Sequence, residues 1–253
     1  MHSAVRQRFG LPVRGRPSKK IRMERASGLL VAAGASRRMG FDKITTLLGG
    51  RPLLAWSLAA FEACEEIGPS ALVCPESRRE EFEAIAAPFP KFRRVVSGGA
   101  ERAESVLNGL AALEEFSPAI VAVHDAARPL VTPALISAVV AAALECGASA
   151  AAAPVSDTLH RAGPGGHLSE TVSRDHLWAM QTPQAAGYSA LRDAIQSERS
   201  AGRTLTDEVS ALICAGLRPH PVGDGGLNFK VTYPRDIALA EAVLALRSSD
   251  ILT

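Results

Sequence analysis

The chain has 253 residues, of which 47% are hydrophobic and 21% are charged, and its formal net charge is +2. This length and apolar content suit one domain with a large core. No apolar run reaches the roughly 18 residues of a membrane-spanning helix, so we expect a cytoplasmic protein without a membrane partner. The four cysteines include no C-x-x-C pair. Their apolar surroundings argue against zinc or disulfides and predict buried, reduced thiols.

The positive charge is concentrated at the start of the chain. Residues 1–25 hold eight Lys or Arg and one acid, whereas the rest holds 20 of the 28 basic and 25 of the 26 acidic residues. Because nucleic-acid binders carry positive charge on the folded domain, we expect no nucleic-acid partner. Residues 1–26 predict a disordered extension, with a targeting segment as an alternative. We favour a misassigned start, because Met23 closely precedes the first strand; the domain then spans residues 27–253.

The first predicted strand is the apolar run at residues 29–33, and it ends in a small, cationic loop. Small residues allow a phosphate to approach the backbone closely, and here they are Gly34, Ala35 and Ser36. Positive side chains neutralise a phosphate, and the candidates are Arg37, Arg38 and Lys43. The loop fits neither G-x-x-x-x-G-K-[ST] nor G-x-G-x-x-G. Since open α/β sheets bind ligands at the carboxyl ends of strands, we predict a triphosphate-binding loop, with a solvated basic turn as the alternative.

Strands and helices alternate along the next hundred residues. Predicted helices begin after Pro52 and cover residues 76–87, 106–113 and 133–146, and predicted strands cover residues 71–74, 94–96, 119–123 and 149–154. The strand at 119–123 is apolar on both faces, which is typical of a central strand. This alternation predicts an α/β fold with a doubly wound, mostly parallel sheet.

Residues 155–175 interrupt the alternation with two strand-like pieces, 158–161 and 170–174, around a Gly-Pro-Gly-Gly turn. We interpret them as a β-arm that projects from the domain. An isolated two-stranded ribbon is marginally stable in water, so we expect the arm to pack on a second copy in a homodimer. After the arm we predict helices at 188–200, 206–214 and 234–246, and strands at 218–222 and 228–232.

A second polar cluster, residues 124–128, follows the central strand. An acid at the end of an apolar strand, beside a phosphate loop, is well placed to hold Mg²⁺, so Asp125 is the metal candidate. In the alternative interpretation Asp125 caps the turn and pairs with Arg128. Lys230 is a further isolated cation in a strand-like segment, where a solvated lysine would be unremarkable.

Eight motifs follow one another within residues 28–246: AAGASRRM, GGAERAESV, VHDAARP, PVSDT, TVSRDHLW, QTPQ, TDEVSAL and NFKVT. Together they resemble the 2-C-methyl-D-erythritol 4-phosphate cytidylyltransferases of the non-mevalonate isoprenoid pathway. The resemblance implies a Rossmann-like nucleotidyltransferase fold, a homodimer and dependence on Mg²⁺ or another divalent cation. It implies transfer of CMP from CTP to methylerythritol phosphate with release of pyrophosphate. A ribitol 5-phosphate cytidylyltransferase is the alternative.

The resemblance also implies roles for residues of this chain. Those matching the catalytic cations are Arg38, Lys43 and Lys230. Those matching the nucleotide site are Ala32, Ala33, Gly34, Ala35, Ser36, Gly99, Ala100, Ser105, Asp125 and Ala126, with Asp125 also matching the metal ligand. Those matching the acceptor site are Arg128, Thr158, Arg174, Thr182 and Thr206, with Thr158 reaching over from the arm of a second copy while Arg174 and Thr182 belong to the receiving chain.

Overall fold

The computed structural model describes residues 26–34 and 43–249. The expectations for residues 1–25 and 35–42 lie outside this part of the chain. The described strands are β1 (Ser27–Val31), β2 (Leu47–Leu48), β3 (Arg51–Pro52), β4 (Ser70–Cys74), β5 (Phe92–Ser97), β6 (Ile120–Asp125), β7 (Ala148–Pro154), β8 (Leu159–Ala162), β9 (Leu168–Val172), β10 (Trp178–Gly187) and β11 (His220–Gly223). The described helices are α1 (Leu53–Ala63), α2 (Arg79–Ala86), α3 (Arg102–Leu113), α4 (Pro133–Cys146), α5 (Tyr188–Ser200), α6 (Glu208–Cys214) and α7 (Arg235–Ser248), with 3-10 turns at Glu76–Arg78 and Glu114–Phe116.

Seven strands form the central sheet in the order β11-β7-β10-β6-β1-β4-β5. Neighbouring strands are parallel except at β10, which runs antiparallel to both β6 and β7. Crossover connections with helices on both faces join the parallel strands. The prediction of a doubly wound, mostly parallel α/β sheet is confirmed.

Strand β1 shows why its sequence is apolar throughout. Successive side chains of a strand point to opposite faces, and Leu29 and Leu30 are both fully buried in different core clusters. Two glycines allow close packing at this level. A Cβ on Gly28 would lie 2.6 Å from the ring of Phe61, and one on Gly109 of α3 would lie 2.2 Å from Leu29. Helices on both faces therefore approach the centre of the sheet closely.

One strand was not predicted, and one predicted strand is wrong. No strand was predicted at β10, and Pro183 within it is unusual for a strand; the pairing of β10 with β7 shifts register between Met180 and Gln184, on either side of this proline. Residues 228–232 do not form the expected strand. The apolar alternation there has another cause, since Val231 packs in a small cluster with Leu53 and Leu130.

Smaller expectations are corrected at single residues. Ala26, expected in the extension, already forms a bridge with Ile67. Of the four thiols, Cys64 and Cys74 are buried, and burial raises the pKa of each to about 11. The other two end helices and are exposed, so the prediction of buried thiols is wrong for Cys146 and Cys214. Within residues 26–34 and 43–249, no helix has the length and apolarity needed to cross a membrane.

The predicted arm is a hairpin of β8 and β9, which pair only with each other. Gly165 and Gly166 have φ angles of +85° and +81°, which the tight turn requires and which glycine adopts without strain. Most of the hairpin is exposed, including Leu168. The hairpin itself is confirmed, whereas its packing on a second copy stays a prediction.

Candidate active site

A cavity of about 440 Å³ opens at the carboxyl ends of β1 and β6, beside the amino end of α3. The predicted nucleotide and catalytic residues that line it are Ala32, Ala33, Gly34, Lys43, Gly99, Ala100, Ser105, Asp125 and Lys230. Ala126 is fully buried and does not line it, whereas Ala127 does. The remaining candidates Ala35, Ser36, Arg37 and Arg38 lie outside the described residues. Sequence positions more than 190 residues apart thus converge on one cavity.

The floor of this cavity is formed by the loop at residues 98–101, which packs closely against the end of β1. The Ser105 hydroxyl accepts the amide N–H of Gly99 at 3.0 Å and donates to the carbonyl oxygen of Glu101 at 3.1 Å. A Cβ on Gly98 would lie 2.4 Å from Ala33, so only glycine lets this loop touch the end of β1. Ser105 therefore shapes the loop from within, and Gly99 and Ala100 of this loop line the cavity.

Asp125 lies between two cations. Lys230 Nζ is 2.6 Å from its Oδ2, and Arg102 Nη2 is 3.1 Å from its Oδ1. Burial alone would raise the pKa of this carboxyl, but the two cations outweigh burial and hold the pKa well below its usual range. The carboxylate is therefore ionised at neutral pH. Arg128 instead donates to the carbonyl oxygens of Asn228 and Met180, so the alternative pairing of Asp125 with Arg128 is wrong.

Lys43 and Lys230 approach the cavity from separate parts of the chain. Lys43 Nζ donates to the carbonyl oxygen of Val231 at 2.8 Å, and the amide of Val231 donates to the carbonyl oxygen of Ala127. The segment at residues 228–232 is thereby fixed against the turn that follows β6. This arrangement brings both lysine side chains to the same side of the larger cavity.

A second cavity of about 240 Å³ adjoins the first and shares Arg102, Asp125 and Lys230 with it. Three of the predicted acceptor residues line this second cavity: Arg128, Thr182 and Thr206. Two substrates, one in each cavity, would therefore meet at the shared wall. The arrangement suits a reaction in which a group passes between them.

The buried residues His124 and Thr182 fix the backbone at Asp125 through hydrogen bonds. The His124 Nε2–H donates to the carbonyl oxygen of Arg128 at 3.1 Å, so its Nδ1 accepts the Thr182 hydroxyl, also at 3.1 Å. The same hydroxyl accepts the Asp125 amide at 3.0 Å. Burial lowers the pKa of His124 to about 4, and the ring is neutral. Thr182 thus fixes the turn carrying Asp125 while it borders the acceptor cavity.

The two arm residues are not brought to these cavities. Thr158 and Arg174 are exposed, and neither is among the described lining residues. Arg174 donates to the carbonyl oxygen of Ser156, so both residues lie at the base of the same arm. The expectation that Arg174 lies with Thr182 in the receiving chain, while Thr158 reaches over from a second copy, is therefore wrong, because Arg174 and Thr158 lie at the base of the same arm.

Sequence reasoning assigned no role to Arg102 and Glu208, although both stand in quoted motifs. Arg102 bonds Asp125 and also forms a two-bond ion pair with Glu208, which is only 2% exposed. The signal was a charged residue at the first turn of each of two helices, α3 and α6. Which of these charges pair depends on the tertiary fold, and spacing along the sequence does not reveal it.

The chain is similar to known proteins over nearly all of its described length. A family model described as IspD, 2-C-methyl-D-erythritol 4-phosphate cytidylyltransferase, matches residues 27–246. The 2-C-methyl-D-erythritol 4-phosphate cytidylyltransferase of Burkholderia multivorans is 44% identical over 229 residues, which covers 87% of this chain and 96% of that protein. The relative from Burkholderia vietnamiensis, of the same name, is also 44% identical with the same coverage.

Solved structures are also similar to this chain. The crystal structure of 2-C-methyl-D-erythritol 4-phosphate cytidylyltransferase from Thermus thermophilus is 32% identical, has a TM-score of 0.70 and covers 86% of this chain and 98% of that chain. A 4-diphosphocytidyl-2C-methyl-D-erythritol synthase from Anaerococcus prevotii, at 24% identity and a TM-score of 0.78, covers 89% of this chain and 98% of that chain and supports the fold alone. The matched residues of the family model include β1, the segment 228–232 and the described site residues between them. The chain therefore belongs to the 2-C-methyl-D-erythritol 4-phosphate cytidylyltransferase family.

Proposed function

We propose that the larger cavity binds CTP and the smaller one the acceptor phosphate, with the reaction at their shared wall. The chain is a nucleotidyltransferase that transfers CMP from CTP to 2-C-methyl-D-erythritol 4-phosphate. The observation that carries the assignment of the cavities is that Asp125, Arg102 and Lys230 line both of them. Relatives named for methylerythritol phosphate favour this acceptor over ribitol 5-phosphate.

Selection of the base would fall to main-chain groups. Residues at the cavity floor are small, so the main-chain groups of Ala33 and Gly34 and the carbonyl of Gly99 can reach a cytosine edge, while the Gly99 amide stays with Ser105. Ala100 has no side chain that could fill this space. Hydrogen bonds from a fixed backbone distinguish bases by their donor and acceptor pattern and need no rearrangement on binding.

The donor chemistry at Asp125 fits Mg²⁺. This cation prefers hard oxygen ligands and is commonly held by one or two carboxylates together with nucleotide phosphates. Among the described residues no cluster of three His, Cys, Asp or Glu side chains forms a protein cage. Mg²⁺ bound together with nucleotide phosphates needs only one or two carboxylates, and the ionised carboxylate of Asp125 in the larger cavity is the proposed ligand. Bound there, Mg²⁺ would supply positive charge to the phosphates.

In the transfer, an oxygen of the acceptor phosphate attacks the α-phosphorus of CTP. The new P–O bond forms as the bond from the α-phosphorus to the α,β-bridging oxygen breaks, and pyrophosphate leaves with that oxygen and its electron pair. Positioning and charge neutralisation carry most of such catalysis. We assign neutralisation to Lys43 and Lys230, together with Arg38 from outside the described residues. Arg128 and Thr206 orient the acceptor.

We further propose a homodimer in which the arm of each chain completes the acceptor site of the other. What supports this is that Thr158 and Arg174 lie on an exposed hairpin, away from both cavities of their own chain. The cytoplasm is the proposed location, because CTP is a cytoplasmic metabolite. The start at Met23 also remains a proposal.

One experiment tests the substrate assignment. The protein is incubated with Mg²⁺, each of the four nucleoside triphosphates, and either methylerythritol phosphate or ribitol 5-phosphate, and pyrophosphate release is followed. We expect release only with CTP and methylerythritol phosphate. Faster release with ribitol 5-phosphate would overturn the acceptor assignment, and equal release with all four triphosphates would overturn base selection by the cavity floor.

A further inference from the structure

Arg102 contacts two carboxylates that differ in their surroundings. Asp125 borders both cavities, whereas Glu208 is 2% exposed and lies beneath them. Arg102 Nη2 is 3.1 Å from Asp125 Oδ1 and 3.0 Å from Glu208 Oε2, and Nη1 also bonds Glu208 Oε1. A planar guanidinium can serve both acids at once, which an ammonium group cannot do with the same geometry.

The ion pair between Arg102 and Glu208 is a fixed part of the fold. Separating it would leave a buried carboxylate without a partner, which is strongly unfavourable. Burial opposes the charge on Arg102, but Glu208 and Asp125 outweigh it and raise the pKa of the guanidinium. Arg102 is therefore a permanent cation whose position is set by Glu208.

Glu208 is itself held in place through β10. It is the first residue of α6, and the next amide, that of Val209, donates to Gln184 Oε1 at 2.9 Å. Gln184 Nε2 donates to Asp207 Oδ2 at 3.1 Å, and Gln184 is only 2% exposed. The amino end of α6 is thus attached to the central sheet, and it carries the anchor of Arg102.

The two oxygens of Asp125 are consequently not equivalent. Oδ1 contacts Arg102, which has a second, buried partner. Oδ2 contacts Lys230, whose side chain is 39% exposed and ends a mobile four-carbon stem. An incoming cation can replace Lys230 without leaving a buried charge unpaired, but it cannot replace Arg102 in this way.

We infer that Arg102, anchored by Glu208, is a positioning residue that fixes the Asp125 carboxylate and presents Oδ2 to the divalent cation. The inference rests on the metal role proposed for Asp125. It assigns to Arg102 and Glu208 an effect on cation binding and turnover beyond their contribution to stability. Lys230, once replaced at Oδ2, is then free to contact phosphate.

The test compares Glu208→Gln with a matched control, Glu198→Gln. Glu198 is also a buried acid, and Arg203 donates two hydrogen bonds to it at 2.6 and 2.5 Å, but this pair lies outside both cavities. Both variants should melt at lower temperature. Only Glu208→Gln should weaken binding of Mn²⁺ in the presence of CTP, by about tenfold, and lower kcat by about tenfold to a hundredfold, with KM for CTP changed less than about threefold.

Binding of Mn²⁺ is measured by electron paramagnetic resonance without acceptor, so this measurement does not depend on turnover. Arg102→Lys keeps the charge but cannot bridge both acids, and it should show the same weakened Mn²⁺ binding. If Glu208→Gln does not fold, the double variant Arg102→Met/Glu208→Leu removes both charges and restores an apolar contact. It should fold and still bind Mn²⁺ more weakly.

Wild-type Mn²⁺ binding and kcat in Glu208→Gln and Arg102→Lys would overturn the inference. In the double variant, wild-type Mn²⁺ binding would do the same. Asp125→Asn separates this failure from failure of the proposed metal role. If Asp125→Asn loses Mn²⁺ binding while the other variants keep it, only the positioning role fails; if Asp125→Asn also binds Mn²⁺ normally, the metal role fails as well.

Discussion

The wall between the two cavities and the hairpin arm hold their polar side chains in different ways. At the wall, the side chain of Asp125 is 13% exposed and has a partner for each oxygen. On the arm, the ion pair of Arg161 with Glu170 has side chains 67% and 60% exposed, and such exposed pairs contribute little. Thr158 and Arg174 are exposed as well. One chain thus organises the wall by itself, whereas its arm residues line neither of the two cavities formed by the described residues, which is the arrangement expected if a second copy receives them.

Among the residues shared by the two cavities, we expect Asp125→Asn to lower activity most. The amide keeps the shape but removes the charge that we propose holds Mg²⁺, so kcat should fall about a thousandfold. Pyrophosphate release measures the rate, and circular dichroism checks the fold. Asp193→Asn, at an exposed acid of α5, is the control and should be neutral. A wild-type rate at ordinary Mg²⁺ would make Asp125 a turn residue only.

Lys43→Ala tests whether the charge of Lys43, in the larger cavity, stabilises the transition state. If its charge is used mainly there, kcat should fall about a hundredfold while KM for CTP changes less than about threefold. Lys91→Ala is a matched control, because Lys91 Nζ also donates to a backbone carbonyl, that of Cys64 at 2.7 Å, away from both cavities. A rise in KM alone would reassign Lys43 to ground-state binding of CTP.

The arm is tested by mixing two inactive proteins. Because Thr158 and Arg174 share one arm, an arm variant must be mixed with a wall variant, and we choose Arg174→Ala with Lys230→Ala. After subunit exchange, half of the dimers are mixed and each has one intact site of two, so about a quarter of wild-type activity should return. Mixing Arg174→Ala with Thr158→Ala is the control and should restore none. No recovery in the first mixture, despite confirmed exchange, would show that each arm serves its own chain.

The smallest expected effect concerns acid stability. The pKa of His124 is about 4 in the folded chain and 6.5 when the ring is exposed, so the unfolded state binds more protons between these values. Stability is complete above pH 6.5 and falls as pH decreases towards 4. We expect the free energy of unfolding to drop by about 2 kcal/mol between pH 7.5 and pH 5, measured by urea titration. His124→Gln should remove this drop, whereas His160→Gln, on the exposed arm, should keep it. An unchanged pH dependence in His124→Gln would contradict the prediction.

Local signals were enough to predict much of the fold. Helix α4 begins and ends where the sequence predicts, because Pro133 suits its first turn, and Thr132 accepts the amide of Leu135 as a cap. Strand β10 could not be predicted, because a proline such as Pro183 is more typical of a loop than of the middle of a strand. The catalytic role of Lys230 was implied only by the family resemblance, because the apolar pattern around it predicted a strand, and its contact with Asp125 depends on the tertiary fold.

The candidate site divides in the same way. Of the cavity-lining positions, Asp125 ends a strand and Gly34 and Gly99 follow strands, so their meeting at one sheet edge follows from topology. The pairing of Arg102 with Glu208 joins two helices separated by about a hundred residues. It depends on how α3 and α6 pack on the same face of the sheet, and no local pattern encodes that packing.

Strand β10 has a consequence for engineering this enzyme. Its first residues pair with the end of β7 at the base of the arm, its middle carries Thr182 and Gln184 under the site, and its last residues pair with β6. Libraries that aim at new acceptors should therefore leave this strand constant and vary Thr158 and Arg174 at the base of the arm, where the proposed acceptor contacts lie. In a screen of all single substitutions, β10 should form an intolerant band.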